Sequence, residues 1–196
     1  ATTGVFSFAE GEAAASLFSE SAVDAVEAGD LIAGLTVSMN GLKDGTDEKF
    51  KANGIEFALT ATGSTTLGAD IGGSALSYAI SASGETATLT LSHAGLTATE
   101  AQTLIDGFAY RNSSEDPTVG ARAFSLSSMT DTGGGSDTSS LSLASTVNVG
   151  AVDDAPVLTT NDFSVAEGRV FEVNAASISA TDADTPLADL LFTLAS

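Results

Sequence analysis

Alternation of apolar with small polar residues runs through most of this chain and restricts it to β-structure. Ala75-Leu76-Ser77-Tyr78-Ala79-Ile80 is followed by Thr-Ala-Thr-Leu-Thr-Leu over 86–91. The same period of two recurs in Ala123-Phe124-Ser125-Leu126-Ser127 and from Leu141-Ser142-Leu143 to Val147-Asn148-Val149. Val5 to Phe8, Leu31 to Met39 and Ile55 to Leu59 are further candidates. A period of two puts the apolar residues on one face of a strand and leaves Ser and Thr for a solvated face. Asn40-Gly41, Asp44-Gly45, Asn53-Gly54, Gly72-Gly73 and Gly133-Gly134-Gly135 punctuate the runs as turns. Ser83-Gly84, between two alternating runs, is a hairpin signal. One segment breaks the pattern. Thr97 and Glu100 fit a capping box, and Ala101, Leu104, Ile105 and Phe108 then form an apolar stripe, predicting a short helix near 98–106. The expectation is an all-β protein, an antiparallel Greek-key β-sandwich with one short helix.

Composition narrows what such a sandwich does. The 196 residues suit one sizeable domain plus part of another. There is no Cys, which excludes a disulfide framework and thiolate chemistry, and a single His excludes a multi-histidine metal site. Twenty-six acidic against six basic residues give a net charge of −20, so nucleic acid and bare anionic membrane are poor partners. At 43% hydrophobic residues the chain builds a core rather than a disordered acidic tail. It contains no apolar run of membrane-spanning length. It opens at Ala1 without an initiator Met or a basic leader, as an excised or processed piece would.

The chain also repeats itself. Phe6-Ser7-Phe8-Ala9-Glu10-Gly11 returns as Phe163-Ser164-Val165-Ala166-Glu167-Gly168, and Ser21 to Ala25 returns weakly as Ser179 to Ala183. This predicts a tandem array: a full repeat over 1–152, a stiff acidic linker over 153–156, and the truncated start of the next repeat over 157–196. Pro156 holds Ala155 extended, so the linker is short and stiff. A truncated repeat is too small to bury a core of its own.

The acidic residues that matter for chemistry gather around that boundary. Asp153 and Asp154 lie in the linker, Glu167 follows it, and Asp182-Ala183-Asp184 comes next. Alternate Asp residues on an extended chain point the same way, and carboxylates gathered on one hard cation lose their mutual repulsion. Val152-Asp153-Asp154-Ala155-Pro156-Val157 resembles the linker between tandem cadherin-like repeats of very large bacterial surface proteins. Ala166-Glu167-Gly168 and Ala180-Thr181-Asp182-Ala183-Asp184-Thr185 resemble the first-strand Glu and the Asp-x-Asp of cadherin-type calcium sites. The stretches 109–118 and 129–134 are similar to segments common in those bacterial repeats.

The resemblance implies a cadherin/Ig-like sandwich and Ca2+ as the ligand of Asp153, Asp154, Glu167, Asp182 and Asp184. In the first repeat it points to Glu10, the counterpart of Glu167, and to Glu27, which stands one residue past the position matching Asp184. Asp131, in its Asp-Thr-Gly-Gly setting near a strand end, is a further candidate ligand. The Asp44-Gly-Thr-Asp47-Glu48 stretch reads instead as a hairpin tip. Arg111 is expected to offset Glu115 and Asp116, with Tyr110 at a sheet edge.

Enzymatic motifs fail. Residues 182–193 carry Pro186, Leu187 and Thr193 where an EF-hand loop needs other residues. No phosphate loop and no Gly-x-Ser-x-Gly occur, and His93 reads as a strand-end residue. The function the resemblance implies is a non-enzymatic, calcium-stiffened extender of an extracellular or bacterial cell-surface adhesin, of a kind commonly exported by type I secretion. Its partners are neighbouring repeats of the same polypeptide. Two alternatives stand beside it: an adhesion domain binding a surface glycan or protein through its loops, and a homodimer formed through the truncated repeat.

Overall fold

The computed structural model describes residues 1–24, 29–60, 62–134, 137–161 and 164–193, leaving the side chains of 68 and 69 aside. Two compact units divide the chain, Ala1–Ala151 and Val152–Ser196.

The first unit is a two-sheet sandwich. Its strands are Val5–Ala9 (β1), Ala15–Ser16 (β2), Ile32–Asn40 (β3), Glu48–Ala52 (β4), Ile55–Ala58 (β5), Gly63–Ile71 (β6), Ser74–Ser83 (β7), Thr86–Leu96 (β8), Ala109–Asn112 (β9), Gly120–Asp131 (β10) and Thr138–Gly150 (β11). The larger sheet has seven strands in the order β1-β11-β10-β3-β8-β7-β6, and the smaller has four, β2-β9-β4-β5. The expected all-antiparallel arrangement holds except at one place. Strand β1 lies parallel to β11, with Val5 opposite Thr146 and Ala9 opposite Gly150. A parallel pair needs a long crossover between its strands, and almost the whole unit serves as that crossover. Ser83-Gly84 does close a hairpin between β7 and β8, with Gly84 at φ +58°.

Period-2 alternation sets the burial. On β8, Ala87, Leu89 and Leu91 point inward while Thr86, Thr88 and Thr90 stay exposed. The inward faces of both sheets meet in one aromatic layer. Tyr110 and Phe124 stand 5.4 Å apart, Phe50 and Phe124 6.5 Å, and Phe57 stacks on Tyr78 at 4.2 Å. Each such ring contributes about 1.5–3 kcal/mol by leaving water. Truncating Phe50, which touches Phe57, Phe108 and Phe124, would cost about 3–5 kcal/mol.

The predicted helix is present as α1, Ala98–Asp106, with both halves of the Thr97–Glu100 capping box formed. It buries Ala101, Leu104 and Ile105. The amide and hydroxyl of Thr97 both donate to Glu100 and hold its carboxyl below the usual range.

The second unit pairs Val157–Asn161 (β12) antiparallel with Ile178–Thr181 (β13). Ala180 and Ser177 are buried, whereas Val165, Val170, Val173 and Leu191 are exposed. A two-stranded ribbon of this kind is marginal on its own.

Candidate functional site

The linker and the Asp-x-Asp loop of the second unit form one hydrogen-bonded structure. The Asp154 amide donates to Asp184 Oδ2 at 2.6 Å. Asp182 Oδ1 accepts from the amides of Asp184 at 3.0 Å and Thr185 at 2.8 Å, closing an Asx turn. Asp154, Asp182 and Asp184 are half-buried, and Asp153 is exposed. One oxygen each of Asp182 and Asp184 is turned toward backbone N–H groups, which offsets part of their repulsion. Glu167 is exposed on a turn closed by the Arg169 amide donating to Ala166 O at 3.0 Å.

In the first unit, Glu10 follows β1, its amide donating to Gly150 O at 3.1 Å. Carboxylate oxygens of Glu10 and Glu115 come within 4.8 Å of one another. Glu115 is therefore not held by Arg111, which pairs with Glu56 at 3.6 Å on the neighbouring strands. Asp131 ends β10 and accepts from the Gly133 amide at 3.0 Å. A side chain at Gly133 would run into Asp30 Oδ2 and lie 3.2 Å from Asp131 Oδ1. That glycine thus lets two carboxylates approach one loop, and no local pattern in the sequence marks Asp30 as the second of them. Glu27 lies outside the described residues.

The Asp44-Gly-Thr-Asp47-Glu48 run is not a hairpin tip, since β3 and β4 lie in different sheets, and it anchors an extensive buried polar cluster. Arg122 on β10 and Glu48 on β4 are fully buried, joined Nε to Oε1 at 2.8 Å. Tyr110, also fully buried rather than at a sheet edge, donates its hydroxyl to Glu48 Oε2 at 2.6 Å. Arg122 Nη2 donates to Asp44 Oδ2 at 3.0 Å and to Thr118 O at 2.8 Å. Asp44 in turn accepts from Asn112 Nδ2 at 2.6 Å and from the Thr118 amide at 3.1 Å. The cluster ties the β3–β4 connection, β9, β10 and the 113–119 loop together.

Its titration follows from these contacts. Burial opposes ionisation of Asp44, but hydrogen bonds from Thr118 and Asn112 and the Arg122 charge outweigh it and hold the carboxyl below its usual range. Burial, and then the bond to Glu48 and its charge, push the Tyr110 phenol far up. Burial pulls against the Arg122 charge, yet Glu48 more than compensates and keeps its pKa raised.

His93 is occupied structurally at both ring nitrogens. Its Nδ1 accepts from the Gly95 amide at 3.0 Å, so Nε2 carries the proton toward Ile71 O at 3.0 Å and Ser74 O at 3.1 Å. No protein-family model, curated protein or solved structure matches this chain.

Proposed function

We propose that this chain is a non-enzymatic, calcium-binding structural repeat of a large extracellular bacterial adhesin, a spacer stiffened by Ca2+ at the junctions between neighbouring repeats. The observation that carries the reading is the bonding of linker residue Asp154 to the Asp182-x-Asp184 loop. A hard cation that takes the remaining carboxylate oxygens there fixes the linker to the repeat it introduces. The recurrence of Phe-Ser-x-Ala-Glu-Gly supports the tandem arrangement. The close Glu10 and Glu115 carboxylates supply oxygen ligands at the end of β1 in the first unit. Without the ion, clustered carboxylates repel one another and leave the junction compliant. With it, that repulsion becomes attraction to a shared charge.

The test is thermal unfolding in EDTA and across a calcium titration, for the wild type and for Asp182→Ala/Asp184→Ala. Calcium at 100 times its dissociation constant is expected to add about 2.7 kcal/mol for a single site, and the double variant is expected to lose most of it. A melting temperature indifferent to millimolar calcium would sink the proposal.

A further inference from the structure

The outer face of the seven-stranded sheet carries central rows of Ser, Thr and Ala on a strongly charged protein, with Asp70, opposite Ala75, at its β6 end. Cross-strand partners give one continuous row, Ala144, Ser125, Ser38, Thr88 and Ser81, running from β11 through β10, β3 and β8 to β7. A second row runs Thr36, Thr90, Ala79 and Ser64 from β3 through β8 and β7 to β6. Every member is a hydroxyl or a methyl, while the chain as a whole carries 26 acidic and 6 basic residues. Two shallow depressions lie on this face. One, of about 370 Å³, surrounds Ser38, Thr88 and Ser125, and the other, of about 320 Å³, surrounds Thr66, Ser77 and Ser92.

We propose that this face docks on the same face of a second copy of the chain. Two arguments select that occupant. The first is charge. Copies with a net charge of −20 repel wherever their acidic surfaces meet, and the central rows of this face bring no like charges together when it meets itself. Hydroxyls are donors and acceptors at once, so a surface of Ser and Thr is self-complementary across a two-fold axis. The second is area. Six strands about 4.8 Å apart, seven to eight residues long at about 3.4 Å each, make a face of roughly 700 Å². A standard specific interface buries roughly 800 Å² per partner. Sheets stacked face to face pack about 10 Å apart, and ridges such as that carrying Thr90 meet the depressions of the opposite copy. Long-range repulsion between the acidic surfaces still opposes the pairing, so it strengthens with salt, the reverse of an association built on ion pairs. The Debye length falls from about 30 Å at 0.01 M to about 3 Å at 1 M.

Sedimentation equilibrium of the full chain across that salt range tests this. The expected result is a monomer–dimer equilibrium whose association constant rises at least tenfold with NaCl. Thr88→Glu should weaken it at least tenfold at every salt concentration. Thr46→Glu, which adds the same charge on the exposed turn before β4, should change it little. A second readout keeps the proposal exposed if Thr88→Glu folds poorly. The chain has no cysteine, so Ser38→Cys, Thr88→Cys and Thr90→Cys report contact directly. At least one should form a disulfide-linked dimer under mild oxidation faster than Thr46→Cys. A monomer at all salt concentrations, equal effects of the two Glu variants, or no preferential cross-linking would overturn it. So would a monomer that binds a neutral glycan through Thr88.

Discussion

Two groups of acidic residues in this protein look alike in sequence and differ in physics. Asp44 and Glu48 gather around Arg122 inside the first unit, in a site where Glu48 is fully buried. Asp154, Asp182 and Asp184 gather in the second unit, half-buried, satisfied in part by backbone amides. The first group has its cation built in, as a guanidinium held from two sides. Among the described residues, no side-chain cation pairs with the second. An internal counter-ion makes a cluster structural, while its lack leaves a cluster free to respond to the medium. Net charge alone does not separate the two; burial and the identity of the donors do.

The largest expected effect falls on the internal cluster. Arg122→Met leaves Glu48 buried without its partner and should cost about 3–5 kcal/mol in urea unfolding. A loss below about 1 kcal/mol would mean that water reaches Glu48 easily, and that the contrast with the surface group is one of degree. Removing both charges sharpens the point: Arg122→Met with Glu48→Gln should recover part of the loss, because no uncompensated ion remains. Next comes Tyr110→Phe, which keeps the ring in the aromatic layer but takes the hydroxyl from Glu48 Oε2. About 1.5–3 kcal/mol is expected for a hydrogen bond to a charged group.

Both members of the buried pair were marked in the sequence by their parity. Arg122 shares the inward face of β10 with Phe124 and Leu126, and Glu48 shares that of β4 with Phe50 and Ala52. One lone cation and one lone anion on the core faces of two strands are readable as a pair. The signal was lost because the Asp44-Gly-Thr-Asp47-Glu48 run also has turn composition, which conceals the start of β4. Helix α1 and the strands rich in Leu, Val and Phe were legible, since capping and period-2 burial are local. The parallel β1–β11 pairing was not, because it joins residues about 140 positions apart and nothing local encodes direction. The approach of Asp30 to Asp131 across Gly133 was hidden for the same reason. The contact of Glu115 with Glu10 was hidden by a nearer basic residue, Arg111, whose strand position directs it to Glu56 instead.

Acid should distinguish the two groups as well. The Asp44 carboxyl is held below its usual range. Its stabilising contribution is therefore complete above the unfolded-state pKa, about 3.9. It is lost as pH falls from there through the lower folded-state pKa. Asp44→Asn should flatten that part of the stability–pH curve and leave the neutral range with a constant offset. Equal slopes for the variant and the wild type below pH 4 would show that the acid sensitivity arises elsewhere.

The smallest effect is the one that defines the comparison. In EDTA, Asp182→Asn keeps an oxygen for the amides of Asp184 and Thr185 and removes a charge beside Asp184. The two changes oppose each other, so stability should move by no more than about 0.5 kcal/mol. In calcium the same substitution removes an anionic ligand and should lower the melting temperature relative to the wild type. Glu48→Gln should show no such dependence, because its partner is covalently part of the chain. A differential scanning calorimetry series with and without calcium reads both variants in one experiment. If Asp182→Asn is as costly in EDTA as in calcium, its carboxylate serves the Asx turn alone, and the second group is structural like the first.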